Sequence, residues 1–114
     1  MKNFKPAFLI VFLTLPLFLF AHAPRDISLN YEKENEILEI NVNHSVRSAD
    51  RHYIEYIIIT INGNEYEVLE FDSQTSENSH DVKTKIPDLS NGDIIKVKAE
   101  CSRIGSDTKE LTIE

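Results

Sequence analysis

The sequence predicts an all-β chain, an antiparallel β-sandwich of about seven short strands. Three observations point there. β-Branched and aromatic residues fall in short runs, most of which alternate apolar and polar side chains. Turn-forming Gly, Asn, Asp and Pro punctuate those runs. Beyond Ala21 no segment repeats apolar residues at helical spacing.

Taken in order, Ile27-Ser28-Leu29-Asn30-Tyr31 alternates and reads as a first strand, followed by a polar turn at Glu32-Lys33-Glu34-Asn35. Glu36 to Val42 alternates again, with Leu38, Ile40 and Val42 facing inward. Asn43 to Arg51 has no periodicity and reads as a loop. A third strand runs from His52 to Ile61, the most β-prone run of the chain. Ile57, Ile59 and Ile61 share one of its faces, and Ile54, Tyr56 and Ile58 the other, so both faces should be largely covered. Asn62-Gly63 then marks a hairpin, because both residues tolerate positive φ, and the chain returns through Tyr66 to Phe71. The polar stretch Asp72–Ser79 reads as a surface loop. Val82, Thr84 and Ile86 mark a fifth strand, ended by Pro87. Ile95, Val97, Ala99 and Cys101 share the inward parity of a sixth, and Leu111 and Ile113 close with a seventh.

The head of the chain is of another kind. Lys2 and Lys5 precede a run from Ala7 to Ala21 without a charge, ending in the small residues Ala21 and Ala23. That is the form of a secretory signal peptide. Interrupted by Pro16, the run falls short of the roughly 20 residues that span a bilayer, and no cysteine lies near the cut to take a lipid. The expected organisation is a signal peptide at 1–21 and one domain at 22–114, placed in the periplasm or outside the cell. Ala21-His22-Ala23 allows cleavage after Ala21, which leaves His22 as the N-terminus, or after Ala23, which removes it.

Losing Lys2 and Lys5 takes the net charge from −7 to about −9. Such a balance argues against nucleic acid and anionic membranes as partners and is compatible with cation binding. The single cysteine, Cys101, excludes an internal disulfide.

Four histidines and this cysteine are the strong transition-metal donors. His44 lies where a strand gives way to a loop and His52 where the next strand begins, so two strand ends can bring the imidazoles together. Cys101 ends another inward-reading strand, and His22 precedes the first. Imidazole and thiolate suit iron, copper or zinc, whereas calcium and magnesium take oxygen ligands. The plainer readings are a buried, inert cysteine and histidines hydrogen-bonded in loops. His80, in the polar stretch before the fifth strand, has the weakest claim. There is no Cys-x-x-Cys, no His-Glu-x-x-His, no glycine-rich phosphate loop and no nucleophile–base pair.

The set His22-Ala23-Pro24, Asn43-His44, His52-Tyr53-Ile54-Glu55-Tyr56-Ile57 and Cys101-Ser102-Arg103-Ile104-Gly105 resembles the iron-binding domain of desulfoferrodoxin and the superoxide reductases, in that family's order. The resemblance implies an immunoglobulin-like sandwich whose mononuclear iron, held by four histidines and an axial cysteine, reduces superoxide to hydrogen peroxide. It assigns His22, His44 and His52 as histidine ligands and Cys101 as the axial thiolate. The fourth histidine is expected at position 104, where this chain has Ile104. Ser45 and Val46 replace a proline and a bulky residue, the His44-to-His52 spacing is two residues longer, and the family's loop lysine has no counterpart. The chain also resembles small exported proteins named after desulfoferrodoxin, whose Cys-Asn-x-x-Gly-Ser turn is approximated by Cys101 to Ser106.

Two functions follow as expectations. One is an exported metal-binding domain with His22, His44, His52 and Cys101 as ligands, iron as Fe(II) the leading ion and copper the alternative. The other is a metal-free immunoglobulin-like interaction module that has lost its site, with Cys101 lodged among Ile95, Val97 and Ala99. Convergence of His44, His52 and Cys101 on one point separates the two.

Overall fold

The computed structural model describes residues 26–114; the expected signal peptide and His22 lie outside them. Seven strands are present among these residues: β1 (Asp26–Glu32), β2 (Ile37–Asn43), β3 (Ile54–Ile61), β4 (Asn64–Glu70), β5 (Ser79–Lys85), β6 (Ile94–Cys101) and β7 (Ser106–Thr112). They form two antiparallel sheets, β1-β2-β5 and β4-β3-β6-β7. The all-β, two-sheet expectation holds, and the arrangement is consistent with a β-sandwich.

The alternation of the strands builds the core between the sheets. Ile27 on β1 and Leu38, Ile40 and Val42 on β2 meet Ile57 and Ile59 on β3 and Ile95, Val97 and Ala99 on β6, all buried. Ile86 and Ile113, just past β5 and β7, complete it. Side chains of this size each contribute roughly 1.5–3 kcal/mol on burial, which outweighs the weak β-propensity of the polar residues interleaved with them. The Tyr31 hydroxyl donates to the Ile86 carbonyl at 2.6 Å and ties β1 to the end of β5. Asn62 and Gly63 both have positive φ, +51° and +86°, as a two-residue hairpin between β3 and β4 requires.

Three details depart from the sequence expectation. β3 begins at Ile54, because the His52 backbone N–H donates to the Ser48 carbonyl at 3.0 Å and keeps 48–52 in a turn. A register irregularity between Ile54 and Tyr56 opposite β6 then moves Ile54 into the core with Ile57 and Ile59, leaving Tyr56 and Ile58 half-buried on the outer face. β5 begins at Ser79, which carries His80 onto the inner face opposite Val42, 3 % exposed.

The register also sets where function can sit. Asn43 pairs with Ser79, Ile54 with Cys101, and Glu100 with Ser106. The last residues of β2 and β6 and the residues just before β3 therefore lie at strand ends, where backbone pairing gives way to loops.

Candidate metal centre

His44 is the first residue after β2. Its N–H donates to the Asn78 carbonyl at 3.0 Å, and the Val46 N–H to that of Glu77 at 2.8 Å, so the loop leaves β2 still paired to the approach to β5. His52 is held from both directions: by the turn to Ser48 before it and by the extended pairing of Tyr53 after it. The Ser102 N–H donates to the Tyr53 carbonyl at 2.8 Å, and the Tyr53 N–H to Ser102 Oγ at 3.2 Å. That pair of bonds prolongs the β3–β6 ladder past its last regular residues and sets Cys101 beside His52. Beyond it the chain reverses at Gly105, whose φ of +104° disfavours any side chain, and the Cys101 N–H closes the reversal on the Gly105 carbonyl at 3.0 Å.

The result is a convergence of three donors. One nitrogen each from His44 and His52 and the sulfur of Cys101 lie within 4.8 Å of one another, all buried. His52 Nε2 is 3.0 Å from Cys101 Sγ, and the two imidazoles meet edge to face with ring centroids 4.9 Å apart. The side chains are 2 %, 8 % and 9 % exposed for His44, His52 and Cys101. Neither half of the arrangement that would defeat metal binding, histidines in solvent and a cysteine alone in the core, is found.

Around the donors a polar frame fixes their chemistry. Gln74 is buried; its Nε2 donates to the His44 carbonyl at 3.1 Å and to the Ser76 carbonyl at 3.0 Å. With its amide nitrogen committed to carbonyls, Gln74 presents Oε1 to His44 Nδ1. His44 Nδ1 therefore carries the proton and the ring's basic lone pair resides on Nε2, the tautomer that a metal ligand needs. The Gln74 backbone N–H donates to the Ala49 carbonyl at 2.9 Å, anchoring the 72–78 loop on the 44–52 loop. The Arg103 N–H donates to Cys101 Sγ at 3.4 Å, which helps fix the position of the sulfur.

The donor set fits a transition metal. Nitrogen and sulfur at ligand distances of about 2.0–2.3 Å from a tetrahedral ion stand roughly 3.3–3.7 Å apart, so the three donors need only small side-chain adjustments to share one ion. Two imidazoles and a thiolate leave at least one coordination position to another group, and among the described residues no carboxylate belongs to the cluster.

Of the four residues singled out in the sequence, the structure brings three together; His22 lies outside the described residues. His80 is buried but takes no part. Its Nδ1 accepts the Thr75 N–H at 3.2 Å, its ring meets Phe71 edge to face at 4.4 Å, and its Nε2 has no hydrogen-bond partner among the described residues. Burial holds its pKa below the ordinary imidazole value, an effect that the Asp81 carboxylate only partly offsets. Gln74 was not legible in the sequence. It sits in a stretch of Ser, Thr, Asn and Gln, and its partner is 30 residues away.

Fold and site together define an all-β domain with a His–His–Cys metal-ligating cluster at strand ends. No family model matches the chain, and no curated protein does. Among solved structures it is similar to the superoxide reductase (neelaredoxin) of Ignicoccus hospitalis, at 16 % identity and a TM-score of 0.48, over 82 % of this chain and 81 % of that one. It is also similar to a superoxide reductase in the oxidised state, at 16 % identity and a TM-score of 0.49, over 81 % and 90 % of the two chains.

Proposed function

We propose that this protein is an exported, desulfoferrodoxin-like metal-binding domain that holds one iron ion on His44, His52 and Cys101, with His22 as a further ligand. The observation that carries the reading is the convergence of three buried N and S donors at strand ends. Iron is favoured over copper by the sequence resemblance, which spans His22 to Gly105. Export is supported by the Lys2–Lys5 head and the uncharged run that follows it. No helix among the described residues is long and apolar enough to cross a membrane. An immunoglobulin-like topology is supported by the strand order β1-β2-β5 against β4-β3-β6-β7, in which the chain passes between sheets after β2, β4 and β5.

When bound, such an ion supplies one-electron chemistry at a thiolate-ligated centre. The chain's own residues prepare the place. Gln74 sets the His44 tautomer, the Arg103 amide helps hold the sulfur in place, and burial of the three donors keeps bulk water from the ligand atoms. Ile104, where the resemblance expects a fourth histidine, is 58 % exposed and offers no lone pair. That substitution favours the second reading, a metal-free interaction module on the same scaffold.

Metal content of the processed protein, measured by mass spectrometry with the N-terminal residue determined on the same sample, tests the proposal. About one equivalent of iron or copper, lost in His52→Ala and in Cys101→Ala, is the expected result. No metal after reconstitution, with the N-terminus established, overturns it and leaves the interaction module. Superoxide consumption no faster than that of free metal ion sets the enzymatic reading aside without touching metal binding.

A further inference from the structure

Beside the metal centre an open cleft of about 750 Å³ is lined by Arg47, Arg51, Arg103, Ser45 and His52 among others. The described residues contain three arginines, and all three line this one cleft. In a chain of net charge −7 that concentration of cations demands compensation. No ion pair supplies it: the two among the described residues, Lys83–Glu39 and Lys98–Glu100, involve no arginine, and Arg51 acts on the Asp50 carboxylate only through a weak charge interaction. Asp50, the carboxylate of the same loop, accepts from Ser48 Oγ at 2.6 Å, and it does not line the cleft. The one side-chain bond the arginines make among the described residues is from Arg103 Nη2 to the Arg51 carbonyl at 3.5 Å, which uses a single donor and ties the two together.

We propose that this cleft binds a small multivalent oxyanion, a dicarboxylate or a phosphate, held by Arg47, Arg51 and Arg103. Guanidinium is the side chain whose planar fork matches both oxyanions bidentately. The volume lies in the range of small-molecule pockets, far above that of a diatomic species. Three guanidinium groups in one lining fit an anion rather than an uncharged ligand. Because the grip comes from arginines, binding does not require a metal. Because His52 lines the cleft, a bound anion sits directly against one of the centre's donors.

The test is calorimetric titration of inorganic phosphate and of succinate into the full chain as the cell processes it, in metal-free and metal-loaded forms at low ionic strength. Saturable binding of at least one anion to both forms is expected, weakened about tenfold or more by Arg51→Gln and by Arg103→Gln and unchanged by Lys83→Gln. Amide shift changes confined to 45–52 and 102–104 locate the site without any substitution. Tighter succinate identifies a carboxylate ligand and tighter phosphate a phosphate; either supports the proposal. No saturable binding, equal weakening by Lys83→Gln, or binding to the metal-loaded form alone overturns it. A protein that takes up no metal yet binds the anion at these arginines refutes the metal-centre reading and leaves this one standing.

Discussion

Replacing Gln74 by leucine removes one side chain that serves the fold and the candidate metal centre at once, and the two effects can be read separately. Leucine fills most of the same volume but offers no acceptor to His44 Nδ1 and no donor to the His44 and Ser76 carbonyls. Each buried group left without a partner costs roughly 1–3 kcal/mol. The Ser76 carbonyl is only partly buried and can turn to water, so a total loss of about 2–6 kcal/mol from the two His44 groups is expected in urea unfolding of the metal-free protein. The backbone bond from Gln74 to Ala49 survives, so the loops stay docked. Without the Oε1 acceptor the His44 ring can turn and its proton can move to Nε2. Partners that orient metal-ligating histidines are worth about 10- to 100-fold in metal affinity, and a loss of that size is expected when a chelator competes for the ion. Gln74→Glu keeps an acceptor for Nδ1 while losing both amide donors, so it should be destabilised yet hold metal far better than the leucine variant. Metal affinity within twofold of the parent in Gln74→Leu, alongside the predicted stability loss, would refute the assignment and leave Gln74 as a loop anchor only.

Three further predictions follow from the same coordinates. His80 is buried with a depressed pKa, so the unfolded chain binds its proton first and stability should fall as pH drops below about 6.5, by at most about 1.4 kcal/mol per unit; parallel stability–pH curves for the parent and His80→Gln would contradict this. Gly105→Ala forces a side chain onto a φ of +104° in the turn that seats Cys101, and should cost about 1–3 kcal/mol in chemical denaturation while weakening metal uptake. Ile57→Ala opens a cavity at a fully buried position in the central strand of the larger sheet, with an expected loss of about 2–5 kcal/mol and metal affinity nearly unchanged once folded.

The periodicity of strands is a local property, and what depended on it was legible. The alternation of Ile95, Val97, Ala99 and Cys101 was enough to place the cysteine inward, and Asn62-Gly63 was enough to place the hairpin. What depended on a break in periodicity was not. The irregularity beside Ile54 reverses the face of one residue, and nothing in Tyr53-Ile54-Glu55-Tyr56 announces it, because apolar residues occupy both parities there. His80 was misplaced for a related reason: Ser79-His80-Asp81 has a polar composition, and only pairing with Asn43-Val42-Asn41 makes it strand. The candidate site was legible as donor types at strand ends. The convergence itself, and Gln74 within it, depend on contacts between residues 30 and 49 positions apart, which spacing alone does not encode.

His44 leaves a strand of the three-stranded sheet, whereas His52 precedes one strand of the four-stranded sheet and Cys101 ends another. An ion gripping all three would therefore be a staple across the two layers through His44, and would also close the loop between His52 and Cys101, 49 positions apart. A covalent bridge over such a span restricts the unfolded chain by a few kcal/mol, and this chain, with one cysteine, cannot form one internally. Metal uptake would supply that cross-link reversibly, so the ion's availability would govern how long the folded domain lasts as well as what it can do.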